Sequence, residues 1–440
     1  MRKMKDSGVE WIGEIPESWN VGKLGYFIQV YNGDRSSNYP SGNDLQEDGV
    51  PFITSSNLEK DELCIDGCKY ISDEKYESLG GFKMQINDII YCLRGSVGKC
   101  SINLTETQGT VASSLMGIRC KKIHPKFLLY VLKSQIIETQ NNLFMNGTCA
   151  ANLSAENVVE YKIPIIDNHT QVRIANYLDK KCAEIDALIE AKEKTNALLK
   201  EQRQSIIYEA VTKGLNPNVP MKDSGIEWIG DIPENWDVER LKYLLSKGKG
   251  SIKAGPFGSS LTSTDMQGDD VKVFTQRTVL DNDFIAGEEY ISIEKYESLK
   301  GFAVQPGDVL ITTRGTIGKT AVVPDDVTGI LHPCLIKMTF DSSKVNKELL
   351  CRIFNETNIF QEQLRLASNA TTIDVIYTEN LMNMFIPIAP IKEQKRINDI
   401  LSKKCEQLDK IIEANSSMIE KLKEYRKSII FETVTGKVEI

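Results

Sequence analysis

The segment Met4-Lys-Asp-Ser-Gly-Val-Glu-Trp-Ile-Gly-Glu-Ile-Pro-Glu-Ser-Trp-Asn-Val21 returns as residues 221–238, with 14 of its 18 positions identical. We call these two segments the straps. Three further blocks match in the same order. Residues 70–79 match 290–299, and residues 94–99 match 314–319. Ile163-Pro164 and the charged stretch after it match Ile386-Pro387 and the charged stretch after that pair. Self-similarity over such a long period indicates a duplicated structural unit. We therefore expect two copies of one scaffold.

The regions between the matched blocks have diverged. Residues 22–69 and 239–289 share little, and the same holds for 100–160 and 320–380. A shared frame with different interiors is typical of one scaffold that recognises two different targets. The alternative is a duplicated structural domain whose interior has drifted neutrally.

Composition limits the class of protein. With 440 residues, two or three folding units are expected. A hydrophobic content of 41% and a charged content of 26% exclude disordered and collagen-like chains. No stretch approaches the roughly 20 apolar residues of a membrane helix, so no membrane association is expected. The ten cysteines form no CxxC pair, which favours reduced thiols in a cytoplasmic protein.

The net charge of −8 argues against a simple basic DNA-binding module. Most of the acidity lies in residues 221–388, which hold 17 basic and 24 acidic side chains. Any contact with nucleic acid must therefore come from local basic loops, or be shared with a more basic partner.

Each Ile-Pro pair precedes a long stretch with helical periodicity. Asp167 or Asn168 can cap the first helix, and Gly214 and Pro217 end it. Each helix is expected to span roughly 40 residues, or about 60 Å. The inward positions are predicted at Ile174, Leu178, Ile185, Leu188, Lys192, Leu199 and Ile206, and at Ile397, Leu401, Leu408, Ile411, Asn415, Leu422 and Ile429.

A narrow apolar stripe on so long a helix requires a partner helix. The sequence predicts that the two helices pair antiparallel, with Lys192 and Asn415 meeting near the centre. This register places Leu199 near Leu408, Ile206 near Leu401, Ile185 near Leu422 and Leu178 near Ile429. Such a pair can hold two readers at a fixed separation on DNA, whose turn spans roughly 34 Å. The alternative is a dimerisation coil without a measuring role.

The remaining residues predict a mixed α/β (α+β) fold of two repeated globular domains separated by two long antiparallel coiled-coil helices. Short apolar runs such as 86–91 and 308–312 are predicted as strands, and 126–142 and 347–366 as helices. The predicted boundaries are 1–165 for the first domain, 166–214 for the central helix, 215–388 for the second domain and 389–440 for the C-terminal helix.

The turns Arg94-Gly-Ser-Val-Gly-Lys99 and Arg314-Gly-Thr-Ile-Gly-Lys319 resemble half of a P-loop. A P-loop needs a further glycine where Leu93 and Thr313 stand, so nucleotide binding is not expected. The four cations suit phosphate contact, and Arg also suits the edge of guanine. The alternative is a pair of hairpin turns with solvated charges.

Other polar loop residues suit base edges, although each alone is more typical of an ordinary loop. They are Asn32, Arg35, Asn38, Tyr39, Asn57 and Asn146 in the first copy, and Lys253, Ser259, Gln276, Arg277 and Asn369 in the second. No dinucleotide loop, methyltransferase tetrapeptide, metal site or paired catalytic histidine is recognisable. We therefore expect no catalytic residue and no cofactor in this chain.

The chain resembles the specificity subunits of type I restriction–modification systems. The resemblance rests on the Gly-Val-Glu-Trp-Ile-Gly-Glu-Ile-Pro-Glu-Ser-Trp run at 8–19 and its copy at 225–236, the Ile-Pro-helix order, the Glu393-Gln394 helix start and the two Arg-Gly turns. It covers essentially the whole chain. The first copy departs only at the helix start, where Thr170-Gln171 stands.

The resemblance implies that each globular half is a target-recognition domain for one part of a bipartite, asymmetric site in double-stranded DNA. It also implies that the helices set the half-site spacing and dock two methyltransferase (M) subunits, which bind S-adenosylmethionine. Restriction/motor (R) subunits would join with ATP and Mg²⁺, and the chain itself would be non-catalytic. The competing reading is a tandem-domain scaffold that binds proteins and has no DNA role.

Overall fold

A computed structural model describes residues 2–145, 152–248, 250–367 and 375–440 of the chain. It divides into two compact units, one comprising Met1–Glu193 with Ser416–Ile440 and the other Lys194–Asn415. Each unit therefore combines one globular domain with part of each long helix. The mixed α/β fold class and the two repeated domains are confirmed.

The first unit is built mainly from short strands. They are β1 (Met4–Asp6), β2 (Glu14–Pro16), β3 (Asn20–Lys23), β4 (Ile28–Asn32), β5 (Val50–Ile53), β6 (Lys69–Ile71), β7 (Ile89–Cys92), β8 (Cys100–Ile102), β9 (Thr110–Val111), β10 (Leu115–Cys120) and β11 (Lys162–Ile165). Its helices are α1 (Asp73–Ser78), α2 (Pro125–Leu132), α3 (Gln135–Met145), α4 (Ala155–Val159), the first part of α5 (Asn168–Lys213) and the last part of the C-terminal helix α11 (Ile391–Val434).

The second unit follows the same plan. Its strands are β12 (Met221–Asp223), β13 (Asp231–Pro233), β14 (Asp237–Arg240), β15 (Ile252–Ala254), β16 (Val271–Phe274), β17 (Tyr290–Ile291), β18 (Ala303–Val304), β19 (Val309–Thr312), β20 (Thr320–Val322), β21 (Gly329–Leu331), β22 (Leu335–Met338) and β23 (Phe385–Ile388). Its helices are α6 (Gln276–Leu280), α7 (Ile293–Ser298), α8 (Lys347–Glu356), α9 (Ile359–Ala367), α10 (Thr378–Met382) and parts of α5 and α11 (Ile391–Val434).

The diverged interiors nevertheless share their sheet topology, apart from one additional strand, β18, in the second unit. A four-stranded antiparallel sheet has the order β4-β10-β7-β8 in the first unit and β15-β22-β19-β20 in the second. A second sheet, β6-β5-β9 or β17-β16-β21-β18, contains a parallel pair, β5 with β9 or β16 with β21. The central strands β7 and β19 are buried throughout, which fits their short apolar runs Ile89-Ile90-Tyr91 and Val309-Leu310-Ile311. The buried apolar strands are therefore retained in both copies, although the loops between them differ.

Each strap closes its domain. The first strap forms the hairpin β1-β2, and β3 then pairs with β11; the second strap repeats this with β12-β13 and β14 with β23. The indole rings of Trp19 and Trp236 are buried in the two largest apolar cores. Those cores also include side chains from both long helices, so each domain and its helix segments share one core.

The long helices exceed the predicted length. Helix α5 has 46 residues and α11 has 44, or about 70 Å and 65 Å. The Asp167 carboxylate accepts hydrogen bonds from the backbone N–H and the hydroxyl of Thr170, which caps α5. Gly214, with a φ of 77°, follows its last turn.

The helices pair antiparallel within each unit, as predicted, but the predicted register is wrong by about one turn. The amide of Asn415 donates to Asn196 Oδ1 at 3.1 Å, four residues beyond Lys192. In the predicted register Arg203 would face Lys404, a repulsive pair. In the observed register Arg203 Nε lies 3.0 Å from Asp409 Oδ1. Opposite charges therefore favour the observed register.

Most predicted inward positions are shielded from solvent. Leu178, Ile185, Leu401 and Ile429 are buried, and Lys192, Leu199, Ile206, Leu408, Asn415 and Leu422 are half-buried. Leu188 and Ile411 are exposed instead. The next residues, Ile189 and Ile412, are half-buried in their place. From Ile185 and from Leu401 onward the shielded positions alternate in steps of four and three residues, so the seam between the helices keeps a repeat of 3.5 residues but uses Ile189 and Ile412 instead of Leu188 and Ile411.

Candidate nucleic-acid interface

In each unit several loops meet at one end of the four-stranded sheet. Because neighbouring strands are antiparallel, the end of β4, the start of β10 and the β7–β8 turn all lie at this end. Backbone hydrogen bonds join them: Gly33 N donates to Leu115 O, and Leu93 N donates to Ser114 O. We call this surface the loop end of each sheet.

Three of the predicted residues lie at the end of β4 and on the loop that follows. Asn32 is the last residue of β4, Arg35 and Asn38 lie on the loop, and all three are exposed. The loop is held by the buried carboxylate of Asp34, which accepts from Ser36 N at 2.6 Å and Gly80 N at 2.9 Å. Hydrogen bonds from the Ser36 hydroxyl and from the backbone N–H groups of Ser36 and Gly80 lower the pKa of Asp34, so it stays ionised. Asp34 was missed by the sequence analysis, although Asp followed by Ser two residues later is a turn signal.

The β7–β8 turn presents Arg94 to solvent. Gly95 and Gly98 adopt φ values of 78° and 89°, which suit glycine. The exposed Arg94 side chain donates from Nε to Asn152 Oδ1 at 3.1 Å. Lys99, by contrast, is tied to Glu59 at 2.6 Å. The turn therefore offers one oriented guanidinium rather than two free cations.

Two other predicted residues of the first copy are engaged internally. The Tyr39 ring packs on Phe52, with centroids 5.8 Å apart. Asn57 is only 8% exposed: its Oδ1 accepts from Thr54 N at 2.9 Å and its amide donates to Cys64 O. This burial argues against base contact by Asn57. Asn146 lies outside the described residues.

We expect Asn57→Ala to lower the free energy of unfolding by about 1 kcal/mol, because it removes the buried side chain that accepts the Thr54 N–H in a capping box. The preference of the variant protein for particular nucleic-acid sequences should be unchanged. Thermal unfolding and selection of bound sequences from a random pool measure the two effects. Altered preference with unchanged stability would instead place Asn57 at the interface.

In the second unit the loop end has a different lining. Arg314 is exposed on the β19–β20 turn, and Thr313 N donates to Cys334 O at 3.0 Å. Gln276, at the start of α6, lies beside this turn: a Cβ placed on Gly315 would be 3.4 Å from its amide nitrogen. The structure thus brings together Gln276 and Arg314, which are 38 residues apart in sequence.

The other predicted residues of the second copy differ in whether their side chains already have partners within the domain. Ser259 is exposed on the loop after β15, and Arg277 is exposed but pairs with Asp281 at 3.1 Å. The Lys253 ammonium lies over the Phe302 ring at 4.3 Å. Lys319 donates to Asn355 O at 2.9 Å, at the end of α8. Asn369 lies outside the described residues.

Phe257 was missed by the sequence analysis. Its side chain is 84% exposed on the loop after β15, between Pro256 and Gly258. The loop is fixed because Gly255 packs against the His332 carbonyl, where a Cβ would come within 2.1 Å. An aromatic ring flanked by Pro and Gly in a polar loop was the available signal. Apolar side chains of this kind contact thymine methyl groups.

The arrangement suits recognition of a polyanion. Exposed guanidinium groups stand beside amides and, in the second unit, an aromatic ring. Within the described ranges, no group of three or more His, Cys, Asp or Glu side chains could hold a metal ion. Burial lowers the pKa of His332, whose Nδ1 accepts from Cys334 N.

In the described part of the chain, no helix has both the length and the apolar character to cross a bilayer.

Two glutamines were noted at the helix starts in the sequence, but their burial and their contacts with the recognition domains were not predicted. Gln171 and Gln394 occupy equivalent positions in the first turns of α5 and α11. Gln171 Oε1 accepts from His124 N at 2.6 Å, and Gln394 Oε1 accepts from Asn346 N at 2.8 Å. His124 and Asn346 directly precede α2 and α8, so each glutamine fixes its domain to a long helix. Their identity in both copies was the available signal.

The chain is similar to known specificity subunits over nearly its whole length. It is 24% identical over 444 residues to the putative type I restriction enzyme MjaX specificity subunit of Methanocaldococcus jannaschii, covering 98% of this chain and 96% of the relative. It is 20% identical over 445 residues to the EcoBI specificity subunit of Escherichia coli, covering 99% and 90%.

Two solved structures share the fold. One is a chain from a study of complex assembly and conformational transition of the type I R-M system, with a TM-score of 0.73 at 17% identity, covering 96% of this chain and 99% of that one. The other is the HsdS subunit of Thermoanaerobacter tengcongensis, with a TM-score of 0.53 at 17% identity, covering 96% and 98%.

The family described as type I restriction modification DNA specificity domain matches residues 16–200 and again residues 233–424. These two matches contain both four-stranded sheets and most of both long helices. The chain therefore belongs to the type I restriction–modification DNA specificity family and carries two copies of its domain.

Proposed function

We propose that each recognition domain of this DNA sequence-recognition subunit reads one half of a bipartite, asymmetric site in double-stranded DNA. We further propose that the paired helices set the distance between the halves and dock two methyltransferase subunits. The chain itself contributes recognition and no catalysis. In this proposal S-adenosylmethionine is bound by the methyltransferase subunits, and ATP and Mg²⁺ by restriction subunits.

The main support for the proposal is that the two domains share their sheets and helix contacts but differ in the side chains at their loop ends. Both domains have the same strand order in the β4-β10-β7-β8 and β15-β22-β19-β20 sheets, and equivalent side chains of the long helices pack into both cores. Their loop ends differ: one presents Asn32, Arg35 and Arg94, the other Phe257, Gln276 and Arg314. Since readout of a base depends on the side chains offered to the groove, two different loop ends on one frame suit two different half-sites.

The duplication of the long helices is consistent with two copies of one partner subunit. Leu188 and Ile411 occupy equivalent positions and are both about half exposed. Single exposed apolar side chains are common on protein surfaces, but because these two recur at equivalent positions, a partner of one kind would meet the same side-chain position on each half. The net charge of −8 also favours partners that supply part of the phosphate contact. This supports docking of the same kind of subunit on each half.

A binding experiment separates this proposal from a protein-binding scaffold. The full chain, assembled with its methyltransferase subunits, is incubated with a pool of random-sequence duplexes at several salt concentrations. We expect enrichment of two short fixed sequences separated by a constant gap, with affinity that falls as salt rises. Sequence-independent binding by the assembled complex would refute recognition and favour the scaffold.

A further inference from the structure

A half-buried arginine joins three elements in the second unit. Arg203 lies on α5 with its side chain 23% exposed. Its Nη1 lies 2.6 Å from Glu356 Oε2, at the last residue of α8, and its Nε lies 3.0 Å from Asp409 Oδ1 on α11. One guanidinium therefore contacts the recognition domain and the opposite long helix together.

Helix α8 has a second charged contact with the helix pair. Arg352 lies 3.3 Å from Glu356 Oε1 and donates to Asn398 Oδ1 at 3.3 Å and Ser402 Oγ at 3.0 Å, both on α11. Together with Arg203 and Asp409, this gives two cations and two carboxylates. The cluster is thus charge-balanced, as partly buried ions require.

The first unit contains the corresponding cluster. Arg426 on α11 lies 2.9 Å from Asp186 Oδ1 on α5 and 2.9 Å from Asp61 Oδ2 of the recognition domain. Its side chain is 21% exposed. Lys133, which follows α2, lies 2.5 Å from Asp61 Oδ1. Two cations again meet two carboxylates.

The two clusters keep the contact but not all of its residues. Arg203 and Asp186 on α5 correspond to Arg426 and Asp409 on α11 at the helix offset of 223. The acid from the recognition domain differs: Glu356 ends a helix, whereas Asp61 lies in a loop beside β8, where its carbonyl accepts from Ile102 N. The arginine therefore occupies the same helix position in both copies, but the carboxylate that contacts it comes from a different element of each domain.

The ionic state of the clusters follows from their surroundings. Burial alone would raise the pKa of Asp61, but Lys133 and Arg426 hold it below its ordinary value. Burial opposes the charge on Arg203, but Glu356 and Asp409 raise its pKa above normal. Apolar side chains in such places often stabilise a fold equally well. The planar, forked guanidinium instead provides fixed geometry between two carboxylates.

We propose that Arg203 and Arg426 are positioning residues for DNA recognition, each fixing one recognition domain in a single orientation on the helix pair. Neither residue contacts DNA. Each acts through its domain, so that the loop end meets its half-site in the correct alignment. This inference rests on the proposed function, because orientation matters only if each domain reads a half-site.

The test uses two matched double variants of the full chain, assembled with methyltransferase subunits. Arg203→Met with Asp409→Asn leaves the Arg352–Glu356 pair, and Arg426→Met with Asp186→Asn leaves the Lys133–Asp61 pair. Each removes one cation and one carboxylate, so neither cluster retains an unpaired charge. Lys300→Met, which breaks an exposed pair with Glu297, serves as the control.

The readout is selection from random-sequence duplexes, together with thermal unfolding. We expect each double variant to lose selectivity about tenfold at one half-site, the two variants affecting opposite half-sites, with melting temperatures near that of the wild type. Lys300→Met should match the wild type. Equal losses at both half-sites, or unchanged selectivity, would assign the arginines a purely structural role and overturn the proposal. Failure of the wild type to select any sequence would refute the proposed function itself.

Discussion

Inserting seven residues into α5 alone, between Glu193 and Lys194, is expected to abolish recognition of the native bipartite site. The insertion adds about 10 Å of helix on one side of the pair. Helix α11 is then shorter than α5 by these seven residues. The pairs Asn196–Asn415 and Arg203–Asp409 cannot form at the same time as the pair Asp186–Arg426. Methylation of a duplex with the native site by the assembled complex measures the loss.

A matched insertion in both helices is the control. Seven further residues between Asn415 and Ser416 preserve the seam phase and restore equal lengths. This double insertion is expected to restore activity on sites whose gap is longer by about three base pairs. Methylation of a duplex series with increasing gaps reads out the change. An unaltered gap in either variant would refute the measuring role of the helices.

Arg314→Ala is expected to weaken discrimination at one half-site by about 1–3 kcal/mol, while the other half-site is read normally. The reason is the position of Arg314 on a rigid glycine turn, exposed and beside Gln276. Methylation rates on duplexes with single base changes in each half-site measure the discrimination.

Arg314→Lys separates two kinds of contact. Lysine retains the charge but lacks the forked donors that pair with guanine. If Arg314 reads a base, Arg314→Lys should lose discrimination nearly as fully as Arg314→Ala. If it contacts phosphate, Arg314→Ala should weaken binding to all sequences and reduce its salt dependence, and Arg314→Lys should be mild. Unchanged methylation in both variants would make Arg314 a turn residue only.

The local patterns were sufficient to predict the frame of the molecule. Repeated straps, Ile-Pro boundaries and helical periodicity depend on neighbouring residues, so they predicted two domains and two long antiparallel helices. The register was wrong because apolar positions recur at spacings of three and four residues, so registers that differ by one turn bury them nearly equally well. Charge pairs such as Arg203 with Asp409 distinguish those registers, and they become visible only when both helices are placed.

The candidate interface was predicted only in part, for a related reason. Exposure of Arg94 and Arg314 follows from their glycine turns, which are local signals. Burial of Asn57 and engagement of Lys319 by α8 depend on partners distant in sequence. Residue type alone could not separate a base reader from a capping amide or an internal ion pair.

The sequence by itself determined that one scaffold occurs twice, because short-range patterns and their repetition need no knowledge of packing. Only the tertiary structure decided which loops share the end of a sheet, how the helices align, and that Asp61 and Glu356 make equivalent contacts with Arg426 and Arg203. Those contacts join residues far apart in the chain. Their formation depends on the balance of burial and charge in the folded state, which no local pattern records.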